Sequence, residues 1–146
     1  MKVTECLGIE HRVFLRQIDR LAEAQRRGAP PPERRAMVAL LGEVLEEHAR
    51  IEDEILFPAL ESHLGRQAGP LAVMDAEHEE IRHLLAEVAQ GDDDVDAMVS
   101  RFIDLAREHF AKEDQVLFPL AEQLLGEERL TELAQACPHV QPLGRG

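Results

Sequence analysis

The sequence predicts an all-α protein, an up-down-up-down four-helix bundle followed by a short C-terminal fifth helix. Three observations carry this expectation. Four long segments space apolar residues three and four apart, and no stretch alternates with period two long enough to make a strand. Gly and Pro cluster between those segments. The connections are short and the helices similar in length, which makes consecutive helices antiparallel neighbours.

The first helix is expected from about Thr4 to Arg27, with Leu7, Phe14, Ile18 and Leu21 as its stripe, Thr4 as N-cap and Gly28 as its stop. Ala29-Pro30-Pro31-Pro32 is a stiff connector, and the second helix begins near Pro32, a residue type suited to a first turn. Its stripe is Leu41, Leu45 and Ile55, and it meets Pro58. Gly65 to Pro70 reads as a loop, and the third helix as Pro70 to Gln90, with Met74, Ile81, Leu85 and Val88 on one face. Gly91-Asp92-Asp93-Asp94 ends it and offers a cap to the fourth helix. That helix runs from Val95 through Met98, Phe102, Leu105, Val116 and Leu120, interrupted at Pro119. A fifth follows from about Glu127 to Ala136. The bundle is expected over residues 1–137, with a mobile tail over Pro138–Gly146.

A length of 146 residues fits one domain, and 45% hydrophobic with 31% charged residues is globular rather than disordered. Lys and Arg number 16 against 29 Asp and Glu, a net charge of −13 that argues against nucleic-acid and anionic-membrane surfaces. The absence of Trp and Tyr removes the usual stacking platforms. No apolar run approaches the ~20 residues that span a bilayer, and the N-terminus MKVTECLGIEHR has no apolar signal core. Cys6 and Cys137 make neither a disulfide framework nor a zinc motif and read as two reduced thiols. A soluble, cytoplasmic protein is expected.

The chain repeats itself. Residues 48–58, HARIEDEILFP, align without gaps on residues 109–119, HFAKEDQVLFP, at an offset of 61. Each block carries His-x-x-x-Glu and then Leu-Phe-Pro. Proline removes a backbone donor and crowds the preceding turn, so each helix is expected to kink or end there.

The chemistry-bearing residues interrupt the apolar stripes. His11 falls between Leu7 and Phe14, and His78 between Met74 and Ile81. His48 and Glu52 continue the stripe of the second helix, as His109 and Glu113 do in the fourth. Positions i and i+4 share one helix face, so four imidazoles and two carboxylates point inward. His11 lies 17 residues from Gly28, and His48 lies 16 from Pro32, which puts both about 25 Å from that connection. The other connections agree to within about one turn, so all six side chains fit one layer. Burying them uncompensated is costly, and a metal centre compensates them.

A set of imidazoles and carboxylates without thiolate suits iron, manganese or zinc, and not soft-metal or calcium sites. The internal symmetry suggests two ions. With Glu52 and Glu113 bridging, each ion takes two His nitrogens and two carboxylate oxygens, leaving room for an oxo or hydroxo bridge and an open position for a small diatomic molecule. Which His share an ion stays open. Glu10, Glu47, Glu77 and Glu108 each precede a ligand His, whereas His63, His83 and His139 have no such neighbour. A metal-bound imidazole often donates to a carboxylate, but adjacent residues point about 100° apart on a helix. These Glu therefore read as solvated or inter-helix charge, with support of the ligands as the alternative. Asp53 and Asp114 recur in the repeat and read as local caps or pairs. Phe14, Phe57, Phe102, Phe110 and Phe118 are expected to pack around the site.

In order and spacing, His11, His48-x-x-x-Glu52, His78 and His109-x-x-x-Glu113, with both EDxxLFP continuations, resemble the hemerythrin-like family of HHE cation-binding domains. The resemblance covers about residues 5 to 120. It implies a four-helix bundle with a non-haem di-iron centre and a role with dioxygen, nitric oxide, peroxide or iron. Oxygen-carrying members place a further His one turn after the third-helix His, where this chain has Arg82, and an Asp at i+5 where it has Glu113 at i+4. The four-His, two-Glu set looks more like the branch linked to stress response and iron–sulfur repair, without a counterpart of its N-terminal Cys-containing domain. The implied partners are a diatomic ligand or peroxide and a redox partner of unknown identity. Iron storage or delivery, and a di-iron peroxidase or nitric-oxide-reducing enzyme, are the alternatives.

Overall fold

The computed structural model describes residues 1–91 and 94–139. Six α-helices follow in order: α1 (Val3–Arg26), α2 (Pro31–Ile51), α3 (Phe57–Leu64), α4 (Pro70–Gln90), α5 (Val95–Lys112) and α6 (Phe118–Leu133). A π turn, Glu52–Leu56, joins α2 to α3, and a second, Glu113–Leu117, joins α5 to α6. A 3₁₀ turn, Ala134–Ala136, ends the described chain's helical part. The rods are thus α1, α2 with α3, α4, and α5 with α6. α1 packs on α2 and α5, α2 on α4, and α4 on α5, which closes the expected four-helix bundle. No helix among the described residues is long and apolar enough to cross a membrane.

The helix ends follow from local chemistry. Thr4 is not the N-cap: α1 starts at Val3, and Glu5 reaches back to accept from the Lys2 backbone N–H at 3.0 Å. The Thr4 hydroxyl, buried at the second position of α1, donates to Glu122 at 3.0 Å. Pro31 opens α2 and Pro70 opens α4, where a missing N–H costs nothing. Gly91 ends α4 at φ 74°, a left-handed conformation that disfavours any side chain. The Asp94 carboxylate caps α5 by accepting from Asp96 and Ala97. Asp92, Asp93 and the tail from Val140 to Gly146 lie outside the described residues. Gly126, at φ 77°, breaks α6, so its last part is the short fifth helix expected near Glu127.

The prolines act differently from the expectation of a kink or stop. Pro58 and Pro119 occupy the second position of α3 and α6, and each rod runs on through them. The strain is absorbed one turn earlier. Phe57 N–H donates to the Glu52 carbonyl and Phe118 N–H to the Glu113 carbonyl, five residues back rather than four. This wider turn rotates the chain less per residue. The inward face therefore passes from Glu52 to Leu56, and from Glu113 to Leu117, all four buried. Val116, assigned to the stripe from an undistorted helical period, ends up 56% exposed. Smaller shifts follow in α4 and α5, where Leu84, Val99, Ile103 and Ala106 are buried while Leu85, Met98 and Leu105 are half-buried.

The core is in two parts. One cluster includes Phe14, Ile18, Leu41, Val88, Val99 and Phe102, and lies toward the α1–α2 and α4–α5 connections. The other includes Leu7, Leu56, Phe57, Leu60, Met74, Leu117, Phe118 and Leu130. Between them lies a polar layer. Truncating Phe102, which is fully buried in the first cluster, should remove about 3–5 kcal/mol of stability. Chemical denaturation of Phe102→Ala checks this, and metal content should stay at the wild-type level because that ring touches no residue of the polar layer closely enough to stack.

Candidate metal centre

All six residues singled out in the sequence meet in the polar layer, and each is at most 4% exposed. They form two groups of four, His11–His48–Glu52–Glu113 and Glu52–His78–His109–Glu113, each with one candidate ligand atom per residue within 4.8 Å of the others. The two carboxylates belong to both groups. His11 and His48 share one, His78 and His109 the other, so each half of the chain supplies a pair of imidazoles.

The outward nitrogens explain how the rings are held. His48 Nδ1–H donates to Glu10 at 2.9 Å, and His78 Nδ1–H to Asp53 at 2.9 Å. His109 Nδ1–H donates to Glu77 at 2.8 Å, and His11 Nδ1–H to Asp114 at 2.9 Å. A carboxylate can only accept, so these contacts assign the proton to Nδ1 and turn the Nε2 lone pair inward. The contacts also form a circuit: α1 to α2 through Glu10, the α2 rod to α4 through Asp53, α4 to α5 through Glu77, and the α5 rod back to α1 through Asp114.

The inward atoms are acceptors crowded on acceptors. His11 Nε2 lies 3.1 Å from His48 Nε2, and His78 Nε2 lies 3.2 Å from His109 Nε2. Glu113 Oε1 is 3.0 Å from His11 Nε2 and 3.4 Å from His109 Nε2. Glu52 Oε1 is 3.1 Å from His78 Nε2. Even so, Glu52 Oε2 and both Glu113 oxygens are buried without a hydrogen-bond partner. Buried polar atoms are rarely left so. Four lone pairs and orphaned carboxylate oxygens converging in a buried layer suit cations, and the donor set fits a metal centre.

Protons must substitute when no metal is bound. Burial opposes a charged His78, but hydrogen bonds to Asp53 and Glu52 outweigh it and push its pKa up to about 9. Burial likewise opposes a charged His109, yet Glu113 and Glu77 push it to about 10. His11 and His48 are raised against burial by Asp114 and Glu113, and by Glu52 and Glu10. Burial alone would raise Glu113, but the surrounding Glu52, His109, His11 and His48 hold it well below the usual carboxylate range.

A ring of cations and aromatic groups encloses the layer. Arg82, at the position where oxygen carriers have a His, donates to Asp53 at 3.1 Å, behind His78. Lys112 pairs with Glu77. Phe110 and Phe118 stack on His11 at 4.5 and 5.3 Å, Phe57 stacks on His78 at 5.8 Å, and Phe14 meets His48 edge-on. His83 is exposed and pairs with Glu87, away from the site. A cavity of about 30 Å³, room for one or two water-sized molecules, touches His48, His78 and His109. Leu45, Ile81, Leu85 and Phe110 form its apolar walls, and Glu46 and Arg82 line it too.

Of the Glu residues preceding ligand positions, Glu10 and Glu77 hold imidazoles, whereas Glu47 is exposed and bonds Arg50, and Glu108 is exposed. Asp53 and Asp114 supply the other two carboxylates, a role the sequence reading assigned to local capping or pairing. Their recurrence at the offset of 61 was the available signal.

Two outcomes follow. Outer carboxylates of ligand imidazoles typically matter 10–100-fold in metal affinity, so Asp53→Ala should weaken metal binding by about that factor in a chelator competition, with Glu47→Ala unchanged. In the metal-free protein the four imidazoles have folded-state pKa values above the unfolded ~6.5. The contribution of His78 and His109 to stability is therefore complete below about pH 6.5 and is lost as pH rises through about 9 to 10. Urea unfolding of the chelator-treated protein should show a falling midpoint across that window.

The family model of the hemerythrin HHE cation binding domain matches residues 4–133. The chain is 36% identical over 98 residues to the iron-sulfur cluster repair protein YtfE of Escherichia coli O1:K1 / APEC, and equally to those of Enterobacter sp. (strain 638) and Escherichia coli (strain SMS-3-5 / SECEC). Each match covers 58% of this chain and 44% of the relative, so the chain corresponds to less than half the length of those proteins. No solved structure matches. With the fold, the paired His–Glu groups and a family match spanning nearly the whole bundle, the chain belongs to the hemerythrin HHE cation-binding domain family.

Proposed function

We propose that this chain is a non-haem di-iron protein that binds, senses or detoxifies dioxygen, nitric oxide or a peroxide. The observation that carries the reading is the cavity: about 30 Å³, apolar on its walls, and open onto three of the four ligand imidazoles. That space accommodates a diatomic or a peroxide. Bound iron would supply reversible redox chemistry and an open coordination position.

The protein's own contribution is positional. Glu10, Asp53, Glu77 and Asp114 fix four imidazole tautomers, so that four neutral nitrogens face inward. Glu52 and Glu113, common to both groups, would each serve both ions. Leu45, Ile81, Leu85 and Phe110 give the cavity its apolar walls. A second reading, iron delivery or iron–sulfur repair, is favoured by the similarity to the YtfE proteins. It requires labile iron and a recipient. An enzyme that reduces peroxide or nitric oxide would require repeated turnover with an external electron donor.

Without Trp or Tyr, the polypeptide barely absorbs above 280 nm, so iron bands stand clear. Protein purified after growth with iron should hold two irons per chain, and its near-ultraviolet bands should respond to dioxygen, nitric oxide or peroxide in the reduced form. Zinc alone, or a single metal per chain, would overturn the di-iron reading. Manganese in place of iron would retain the site and change the chemistry. Iron passing rapidly to an apo iron–sulfur acceptor, with no gas response, would favour delivery. His48→Ala and Glu113→Ala should lose metal, and His83→Ala should keep it.

A further inference from the structure

Cys6 and Cys137 stand near opposite ends of the chain, yet the fold brings them together. Cys6 lies in the first turns of α1, and Cys137 follows the 3₁₀ turn, its N–H bonded to the Ala134 carbonyl at 2.9 Å. Both are free, both are at most 3% exposed, and both belong to the same apolar cluster. Each thiol shifts the other's ionisation, which puts the two sulfurs side by side in that cluster. A metal site is disfavoured, because among the described residues no third His, Cys, Asp or Glu joins them at ligand spacing.

The pair abuts the polar layer. Cys6 and Glu10 are one turn apart on α1. Glu10 uses one oxygen to hold His48 at 2.9 Å, and the other lies 3.3 Å from His139, two residues past Cys137. The two elements that would be joined therefore already meet at a carboxylate that orients a candidate ligand.

We propose that Cys6 and Cys137 are a peroxide-responsive dithiol that oxidises to an intramolecular disulfide, clasping α1 to the turn that follows the fifth helix. Burial raises both thiols, and the neighbouring Cys6 sulfur raises Cys137 further while Cys137 lowers Cys6. Cys6 is thus the sulfur that ionises first. Local opening of the three-residue 3₁₀ turn admits the oxidant. The Cys6 thiolate attacks a peroxide oxygen, the O–O bond breaks, and the leaving hydroxide takes up a proton to become water. Cys137 sulfur then attacks the Cys6 sulfenic acid, the S–O bond breaks, and a second water leaves. In sum, two thiols and one hydrogen peroxide give one disulfide and two waters, a two-electron oxidation.

The test uses the metal-loaded full chain treated with stoichiometric hydrogen peroxide, then denatured and alkylated. Oxidation should remove both free thiols, lower the intact mass by about 2 Da, restore both thiols on reduction, and yield a peptide linking Cys6 to Cys137 in a species that stays a single chain. The melting temperature should rise, as closing a long loop predicts. Cys137→Ser should instead trap a sulfenic acid at Cys6, read as a dimedone adduct. Cys6→Ser should give no linked peptide. Two thiols still free after treatment, over-oxidation without linkage, or linkage only between chains would overturn the proposal. Cys6→Ala and Cys137→Ala keep the packing and separate loss of linkage from misfolding.

Discussion

Every feature of the polar layer depends on where four imidazole protons go. Each Nδ1–H is committed to a carboxylate on the next rod, and that leaves each Nε2 with nothing to donate. The centre is consequently a pocket of lone pairs, and its demand for positive charge is set before any ion arrives. The same four bonds run once around the bundle. They fix the rotation of each rod about its own axis, which ridge-into-groove packing of apolar side chains alone specifies only loosely. The site thus also sets the register of the helices.

The backbone is adapted to this layer. A regular α-helix continuing from His48 would crowd its turn against the proline six residues beyond Glu52. The π turn between them absorbs the misfit, and it starts at the Glu in both rods. Each bridging candidate is therefore at the junction of two helical geometries, with the apolar face resuming on Leu56 and Leu117. The division of the core follows. Six polar side chains interrupt the apolar packing across the full width of the bundle, and two separate clusters cover the layer from either end.

Much of this was legible in the sequence, and the exceptions have physical causes. Spacings of three and four placed His11, His48, Glu52, His78, His109 and Glu113 inward, and counting residues set their depth. The prediction for Val116 failed because it assumed about 100° per residue through a stretch where the backbone turns less. Asp53 and Asp114 escaped because each follows an inward Glu and points sideways, toward a rod whose distance no spacing rule supplies. Glu10 and Glu77 reach their imidazoles while Glu47 and Glu108 do not, although all four precede a His. The difference lies in which neighbour each side chain faces around the bundle, a property of three dimensions. Thr4 matched a capping pattern, but Glu5 already satisfied the exposed backbone donor.

The cavity breaks a symmetry that the ligand set otherwise keeps. Repetition of His-x-x-x-Glu supplies both halves with equal donors, but His78 and His109 both border the open space, while of the other pair only His48 does. His11 is roofed by Phe110 and Phe118. Two ions held here would have the same coordinating atoms and different surroundings, one able to exchange a guest and one closed to it. A chemically symmetric pair would thereby acquire a fixed polarity, with one end for arrivals and the other as a reserve of charge.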